Sequence, residues 1–421
     1  MTGRIVRIEK LAGTGEGIAR TADGVGFVDR ALPGELVETN VYEVRKRFWR
    51  GNLLAVREPS PARIESAHAS CAGCDWSHFE LPAAREAKRS LFLETMRRLG
   101  RLDPGPFGEP EVVPSPPGYR LRTRLHVTGK GGAEGVGFFT PGTHRVVSAE
   151  NCEALSPEAR AALPRLRHAV AGAGVSELAL SEDLAGAHRL VRATVLSDPA
   201  AASLLAERLR RSGAVDGVLI QDAEGRTLVH RGARVLSLEV GGRPFSLSAG
   251  TFFQANRHLV GELQADVAAE AHRVAPGEAL DAFGGVGLFA GALLDAGHRV
   301  VSVEADAGAV ADVRRTRELW SDRERWEIEA SPVAEFLAAE DRSFSCVVAD
   351  PPRAGLGPEL ARQLAKRASR LFVYVSCDPA TLARDLPSIL AEGLVIRRTR
   401  LYDLFAFTHR VEALVSLERA E

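Results

Sequence analysis

Three strand-like runs in the carboxy-terminal third constrain the fold most, because each ends in an acidic or glycine-rich turn. Residues 280–287, LDAFGGVG, form an acidic strand end that runs into a glycine turn and then an apolar helix. Residues 299–303 end at Glu304, about twenty residues after the glycines. Residues 346–349 end in the D-P-P-R of 350–353. This alternation of strands and helices predicts an α/β domain that binds its ligand at the carboxyl ends of the strands.

The same turns indicate the kind of cofactor. A carboxylate at Glu304 can accept hydrogen bonds from both ribose hydroxyls of an adenosine-containing molecule, and NAD and S-adenosylmethionine both suit this skeleton. However, the glycines of 284–287 do not follow the G-x-G-x-x-G spacing, and the next strand ends in D-P-P. We therefore expect S-adenosylmethionine, the methyl donor.

Cys377 is the first candidate for chemistry. The short apolar run 372–375 is followed by this cysteine and then by Asp378-Pro379, which places the thiol at the carboxyl tip of a strand. Residues 381–386 are typical of the first turns of a helix, whose dipole would favour the thiolate by lowering the pKa of Cys377. The alternative is a small buried residue, as most lone cysteines are.

Arg353, directly after D-P-P, bears on the methyl acceptor, because enzymes that methylate exocyclic amines usually carry an aromatic residue there. The pyrimidine C5 carbon is not nucleophilic enough to attack a sulfonium until a thiolate adds at C6, so that reaction needs a cysteine and later a base. Cys377 meets the first need. Glu412 offers the base that removes the C5 proton, with His409 as a competing candidate.

The first sixty residues contain short β-type runs separated by Gly-rich or Pro-Gly turns, which is typical of a small antiparallel barrel. Residues 45–50, RKRFWR, interleave four cations with two aromatics. They could meet phosphates and stack on a base, or form a solvated hairpin tip. The patterns KLAGTGEGIAR and FVDRALPGELV resemble the TRAM domain, an RNA-binding module of tRNA- and rRNA-modifying enzymes. We assign residues 1–59 to this barrel.

Residues 60–245 are expected to form a middle α+β domain that handles RNA. Residues 86–100 predict an amphipathic helix with an apolar stripe at Leu91, Leu93, Met96 and Leu99. This helix could pack on the catalytic domain. In 119–127, YRLRTRLHV, cations alternate with apolar residues as in a half-exposed strand, which puts three arginines on one face: Arg120, Arg122 and Arg124. Such a face favours either a phosphate backbone or salt bridges within the sheet.

Five cysteines without a scaffold-like spacing argue against a disulfide framework. Cys71 and Cys74 form a C-x-x-C pair, and Cys152 can join them from further along the chain. Three thiolates could hold an iron–sulfur cluster or zinc, because both favour soft sulfur ligands.

Four elements of the carboxy-terminal third together resemble the RNA (uracil-5-)-methyltransferase family. In that family F-Q-x-N, D-P-P-R-x-G, S-C-[ND]-P-x-T-x-x-R-D and H-V-E-like elements recur in this order. Here they stand at 253–256, 350–355, 376–385 and 410–412. With the amino-terminal barrel the likeness covers most of the chain. It implies a Rossmann-like methyltransferase domain at 246–421, behind a TRAM/OB-like barrel and the middle domain.

The resemblance also implies roles for single residues. It makes Cys377 the nucleophile and Glu412 the base, with Asp350 between cofactor and uracil. Together with the glycine turn, it gives the residues that contact S-adenosylmethionine: Gln254, Phe283, Gly285, Glu304 and Asp350. The sequence departs from the family at three positions, where Gly284, Leu288 and Arg410 replace a common cysteine, asparagine and histidine.

The family further implies a 4Fe-4S cluster, held by a cysteine, a C-G-G-C pair five residues on, and a distant fourth cysteine. Here the first of these positions is Glu65, a poor ligand for such a cluster, and His68 is a candidate replacement. The remaining cysteines are compatible with a bound cluster, with a degenerate site, or with a labile cluster that has an open iron.

The whole sequence therefore predicts an enzyme that makes 5-methyluridine in structured RNA, with the uridine extruded from its stack. Ribosomal RNA of the large subunit is the first choice, since the barrel and the cluster-site remnant resemble the members that act there, and transfer RNA is the second. The alternatives are a cytosine C5 enzyme and an RNA-binding assembly factor without turnover. A polar start and the lack of an apolar run of about 20 residues predict a cytoplasmic protein without a membrane span. We expect a monomer; the net charge of −1 means that the positive charge for RNA must be local.

Overall fold

The computed structural model describes residues 3–66, 71, 73–128, 135–195 and 199–420. Within these ranges the strands form sheets of six, seven, two and eight strands. No helix in the described ranges combines the length and the apolar character that crossing a bilayer requires. The eight-stranded sheet, near the carboxyl terminus, carries the candidate site.

The amino-terminal sheet has the strand order β1-β5-β6-β4-β3-β2. Its strands are β1 (Gly3–Arg7), β2 (Lys10–Leu11), β3 (Gly17–Thr21), β4 (Gly24–Asp29), β5 (Leu36–Val44) and β6 (Phe48–Glu58). Trp49 is buried in the small core of this sheet and packs so closely on Gly26 that an added Cβ would lie 2.1 Å from the indole. Of the two aromatics in 45–50, Trp49 is therefore not available to stack on a base, because its indole fills the core.

The helix that follows, α1 (Leu81–Arg98), packs against the carboxy-terminal part of the chain. The predicted apolar stripe was only partly right, since Leu99 is 62% exposed. The buried face instead repeats every four residues: Ala84, Lys88, Phe92 and Met96. Lys88 can be buried in this face because its ammonium forms an ion pair with Asp403.

The seven-stranded middle sheet has the order β10-β9-β8-β11-β12-β13-β14. Its elements, with the two-residue strand that precedes them, are β7 (Val112–Val113), β8 (Arg122–Thr128), β9 (Gly135–Phe139), β10 (Val146–Ser148), α2 (Pro157–Val170), β11 (Val175–Glu182), β12 (Arg189–Val195), α3 (Pro199–Arg211), β13 (Gly217–Gln221) and β14 (Thr227–Gly232). Apolar side chains of one sheet face form a core with α2 and α3. The hairpin of β15 (Val235–Val240) and β16 (Arg243–Ser248) leads to the last sheet.

The eight-stranded sheet has the order β19-β18-β17-β20-β21-β23-β22-β7. Its elements after β7 are α4 (Val260–Ala271), β17 (Glu278–Ala282), α5 (Leu288–Asp295), β18 (Arg299–Val303), α6 (Ala307–Glu318), β19 (Trp326–Glu329), α7 (Val333–Ala339), β20 (Phe344–Ala349), α8 (Pro358–Arg367), β21 (Ala368–Ser376), α9 (Pro379–Leu390), β22 (Leu394–Tyr402) and β23 (Glu412–Arg419). Strands β17 to β21 run parallel, and β23 is antiparallel to its neighbours. After β17, the chain adds β18 and β19 on one side of that strand, and it then crosses over to add β20 and β21 on the other side. The gap between β17 and β20 is therefore a topological switch point, where such sheets bind ligands.

This architecture confirms the predicted fold class, a Rossmann-like α/β sheet preceded by β-rich parts. The early part of the chain also contributes to the last sheet, because β7 pairs with β22 and α1 packs on α9. The domain boundaries at residues 59 and 245 stay a prediction.

Candidate active site

The predicted site residues gather at the carboxyl ends of neighbouring parallel strands. Phe283 follows β17, Glu304 follows β18, Asp350 follows β20 and Cys377 follows β21. Because these strands are adjacent and point the same way, their ends share one edge of the sheet at the switch point. The sequence-based placement of these residues agrees with this edge.

Two backbone N–H groups hold the carboxylate of Glu304, one from the glycine turn and one from the residues just after Glu304. The N–H of Gly285 donates to Oε2 at 2.9 Å, and the N–H of Asp306 donates to Oε1 at 2.7 Å. Each carboxylate oxygen keeps a free lone pair and can still accept one further hydrogen bond. Gly287, which precedes α5, has φ of 95°, and an added Cβ there would lie 2.4 Å from the ring of Trp326. The turn therefore requires glycine at this position.

Gln254 joins the site from the segment between β16 and α4. Its Nε2 donates to Oδ2 of Asp350 at 2.7 Å. Asn256, two residues on, is completely buried; its side chain donates to Oγ of Ser115 at 2.8 Å and to the carbonyl of Leu404 at 3.0 Å. Sequence reasoning gave no role to this asparagine. The F-Q-x-N spacing is the signal that could have shown that Asn256 fixes the segment while Gln254 faces Asp350.

Cys377 and Glu412 are brought together by the antiparallel pair β21 and β23. Ser376 pairs with Ala413 in this ladder, so Cys377 and Glu412 follow on opposite strands at the next position. Glu412 is 2% exposed, whereas Cys377 is only partly buried. A thiol reachable by substrate therefore lies opposite a buried carboxyl group.

The charge around Cys377 contradicts one sequence-based expectation. Burial, Glu412 and Asp350 together raise the pKa of the Cys377 thiol to about 12, while Arg353 acts in the opposite direction. The prediction of a lowered pKa is therefore wrong for the ligand-free protein. The helix N-terminus is already capped by Asp378, whose Oδ1 accepts from the N–H of Ala380 at 2.8 Å, so little of the dipole is left for the thiolate.

Three further carboxyl groups of the site resist ionisation. Burial raises the pKa of Asp281 to about 7, and the nearby Glu304 adds to this. Burial and Asp281 raise the pKa of Asp350, and burial and Asp350 raise that of Glu412. Oδ1 of Asp281 is buried without a hydrogen-bond partner among the described residues. Such a cluster disfavours anions and favours a cationic ligand or one that donates hydrogen bonds.

A group of arginines lies next to the Gln254 segment. Arg122 stacks on the exposed ring of Phe252 at 5.5 Å and donates through Nη2 to the carbonyl of Gly250 at 3.3 Å. An added Cβ at Gly250 would lie 2.5 Å from Nη1 of Arg192, so both guanidiniums converge on this turn. Burial, Arg192 and Arg124 lower the pKa of Arg122 to about 10. The positive charge is therefore concentrated beside the active site.

The structure separates Arg120 from the other two arginines of the predicted face. Its Nη2 donates to the carbonyl of Gly73 at 3.3 Å, and its guanidinium lies 5.6 Å from the ring of Phe138. Arg124 forms a 3.3 Å ion pair with Glu177. Arg120 therefore supports the loop that carries Cys71 and Cys74, and of the three predicted arginines only Arg122 faces the turn at 250.

The three predicted metal ligands lie near one another without forming a recognisable cluster site. Cys74 and Cys152 are neighbours, and their interaction raises the pKa of Cys74 and lowers that of Cys152, while Sγ of Cys71 accepts from the N–H of Gly73 at 3.3 Å. Glu65 is exposed, and His68 lies outside the described residues. Over the described ranges, no group of three or more His, Cys, Asp and Glu side chains is arranged to hold a metal ion. Three thiols without a fourth sulfur do not fit the four-cysteine set of a 4Fe-4S cluster, which is therefore not supported.

The fold and the acidic strand ends define an α/β methyltransferase, and comparison with known proteins narrows the class. The family model described as tRNA (Uracil-5-)-methyltransferase matches residues 335–420. The 23S rRNA (uracil(1939)-C(5))-methyltransferase RlmD of Halomonas elongata is 31% identical, over 98% of this chain and 89% of its own. The enzyme of the same name from Nitrosococcus oceani is 30% identical, over 98% and 95%. The crystal structure of Pyrococcus abyssi tRNA (uracil-54, C5)-methyltransferase in complex with S-adenosyl-L-homocysteine has the same fold, with a TM-score of 0.78, 23% identity and coverage of 98% and 99%.

The chain belongs to the RNA (uracil-5-)-methyltransferase family, and it is an RNA (uracil-5-)-methyltransferase. This confirms the resemblance seen in the sequence motifs. It also favours uracil over the cytosine alternative, and turnover over an assembly factor without activity.

Proposed function

We propose that this enzyme methylates C5 of a uridine in large-subunit ribosomal RNA, with S-adenosylmethionine as methyl donor and a covalent adduct at Cys377. The observation that carries the proposal is the pairing of β21 with β23, which places Cys377 opposite Glu412. A nucleophile and a base on facing strand ends are the two groups that C5 chemistry needs.

The acidic edge of the sheet suits the methyl donor. The carboxylate of Glu304 would accept hydrogen bonds from the ribose hydroxyls. The other proposed contacts with S-adenosylmethionine come from Gln254, Phe283, Gly285 and Asp350. The raised pKa values of Asp281 and Asp350 favour a cationic ligand at this edge. S-adenosylmethionine, which is a sulfonium, supplies the electrophilic methyl group.

Cys377 and Glu412 serve two successive halves of the reaction, addition to the ring and removal of the C5 proton. Once the thiol has given its proton to solvent, Sγ of Cys377 adds to C6, and the electron pair of the C5–C6 double bond makes C5 nucleophilic. C5 would take the methyl group as the bond between that methyl and the sulfonium sulfur breaks, and S-adenosylhomocysteine would leave. Glu412 then takes the proton from C5, the C6–S bond breaks, the C5–C6 double bond returns, and the thiolate leaves. The raised pKa of Glu412 makes its carboxylate a stronger base for this second half.

RNA is expected to reach the site over the arginine group beside Phe252. Arg122 and Arg192 present guanidiniums that can bind phosphate, and the exposed ring of Phe252 can stack on a base. We keep residues 1–59 as a TRAM-like RNA-binding barrel, 60–245 as the RNA-handling domain and 246–421 as the methyltransferase domain.

Two RNA classes are supported to different degrees. The 23S rRNA relatives are 30–31% identical over nearly the whole chain. The comparisons named for tRNA are a family model that matches residues 335–420 and a solved structure that is 23% identical. Large-subunit rRNA is therefore the first candidate and transfer RNA the second.

The experiment is methyl transfer from labelled S-adenosylmethionine to equimolar transcripts of large-subunit rRNA and tRNA, with the product nucleoside identified after digestion. We expect 5-methyluridine in the rRNA. 5-Methyluridine in tRNA alone would favour the second candidate, and 5-methylcytidine would contradict the proposed base.

The arginine group is tested with an Arg122→Ala variant. We expect a higher KM for RNA and a shallower salt dependence of binding, because about one phosphate contact is lost. Arg226→Ala is the matched control, since Arg226 forms an exposed ion pair with Asp222 on a distant hairpin. An unchanged salt dependence in Arg122→Ala would contradict a phosphate contact.

A further inference from the structure

The nine-residue loop 403–411, which joins β22 to β23, ends directly before the proposed base Glu412. Side chains from distant segments bind its backbone. Lys88 donates to the carbonyl of Phe405 at 3.2 Å, and the hydroxyl of Tyr119 donates to that of Ala406 at 2.9 Å. With the bond from Asn256 to Leu404, these contacts fix the first half of the loop. We call residues 403–411 the base loop.

The second half of the base loop is bound by the cysteine loop, residues 71–77. The N–H of Trp76 donates to the carbonyl of Phe407 at 2.9 Å. Nδ1 of His409 donates to Oδ2 of Asp75 at 2.5 Å. The Asp75–His409 bond joins residues 334 positions apart in the chain. It anchors the base loop three residues before Glu412.

The amino-terminal sheet closes the same junction. Nε1 of Trp76 donates to the carbonyl of Gly15 at 2.9 Å. An added Cβ at Gly15 would lie 2.8 Å from Cβ of His409 and 2.9 Å from Oδ2 of Asp75. The turn between β2 and β3, the cysteine loop and the base loop are therefore packed together without spare space.

The backbone between this junction and Glu412 has little freedom. Oγ1 of Thr408 accepts from the N–H of Arg410 at 3.2 Å, and Val411 is buried. A displacement of His409 would therefore be transmitted to Glu412. Cys377 is held separately, because it follows β21, whose parallel partner β20 lies on the side away from β23.

We propose that Asp75 and His409 are positioning residues for Glu412, so that docking of the cysteine loop sets the place of the base. The inference rests on the proposed function. It also gives His409 a role other than the competing base, because Nδ1 is already bound by Asp75.

Cys377 serves the first half of the reaction and Glu412 the second, so displacing Glu412 should slow the second half alone. A base displaced by about 1 Å can cost on the order of 100-fold in rate. Without the anchor, addition of Cys377 and methyl transfer proceed, but removal of the C5 proton slows. The methylated RNA should then stay attached to Cys377 and accumulate as a covalent adduct.

The test compares Asp75→Ala and His409→Ala with Asp75→Asn and His409→Asn, which keep an acceptor and a donor for the anchoring bond. Single-turnover reactions use RNA tritiated at C5 and methyl-labelled S-adenosylmethionine. For the alanine variants we expect tritium release about 10- to 100-fold slower. The KM for RNA should stay within about threefold of wild type. Labelled adduct should appear on denaturing gels, while the amide variants and Asp341→Ala, a control at a fully exposed aspartate, behave like wild type.

Three outcomes would overturn the inference. Loss of adduct formation in parallel with tritium release, or a change confined to KM, would show a role outside base positioning. Alanine variants with wild-type release would show that the anchor does not matter. Should Asp75→Ala melt below the assay temperature, His409→Ala carries the test, because it leaves the cysteine loop intact. Absence of release from the wild type would instead refute the proposed function, and the inference with it.

Discussion

The reactivity of Cys377 gives the sharpest prediction, because its pKa is opposite to the usual expectation for a nucleophilic cysteine. Its thiol has a pKa of about 12 against an ordinary 9.0. At pH 8 the thiolate fraction is then about 10⁻⁴, compared with roughly 0.1 for an ordinary thiol. A more basic thiolate is also more nucleophilic, by a factor of about 20 here, so alkylation of Cys377 should be about 50-fold slower than alkylation of a free thiol.

The assay is alkylation by iodoacetamide in the absence of ligands, quantified for the peptide that contains Cys377 by mass spectrometry. The rate should rise tenfold per pH unit from pH 7 to 10 without a plateau, because deprotonation is far from complete. Peptide resolution separates Cys377 from the other four cysteines, all of which are buried. Glu412→Gln should speed the reaction by removing a negative neighbour, and Arg353→Ala should slow it by removing a positive one.

A plateau below about pH 9 would refute this reasoning, because it would show a thiol with a lowered pKa. Slower alkylation of Glu412→Gln than of wild type would likewise contradict the assigned influence of Glu412.

Two further predictions concern stability. Lys88→Met should lower the free energy of unfolding by about 3–5 kcal/mol, because Asp403 is left buried without its partner. The double variant Lys88→Met with Asp403→Leu should recover most of the melting temperature. If it does not, the loss of the ion pair is not the cause of the destabilisation. Gly287→Ala should strongly lower both the melting temperature and binding of S-adenosylmethionine, because its Cβ would meet Trp326 at 2.4 Å. In the matched variant Gly285→Ala, φ is +55° but no atom lies within 4 Å of the added Cβ, so the cost should be about 1–2 kcal/mol; equal losses in the two glycine variants would contradict the steric argument.

The positions of the candidate site residues at strand ends could be predicted from the sequence, because they are encoded locally. Glu304, Asp350 and Cys377 each follow a largely apolar run of strand length, Phe283 follows an acidic strand end, and parallel strands bring such ends to one edge. The Cys377 tip and the helix after it could be read within fifteen residues of sequence, as the run FVYVSCDPATLARDL shows.

What the sequence missed depends on contacts between distant positions. Lys88 occupies a core position of α1 only because Asp403 arrives from the other end of the chain. The pKa of Cys377 depends on Glu412 and Asp350, which join it only in the folded sheet. The same holds for Asp75, which lies beside a candidate metal ligand but acts on a loop more than 300 residues away. No local pattern contains these pairings.

Identification of the covalent intermediate decides whether Cys377 is the nucleophile. Glu412→Gln is incubated with S-adenosylmethionine and a large-subunit rRNA transcript, digested with protease and nuclease, and the cross-linked product is sequenced by mass spectrometry. We predict a methylated uridine attached to the peptide that contains Cys377, and neither adduct nor 5-methyluridine with Cys377→Ala. 5-Methyluridine formed by Cys377→Ala at the wild-type rate would contradict the account, because C5 would then be methylated without this thiol.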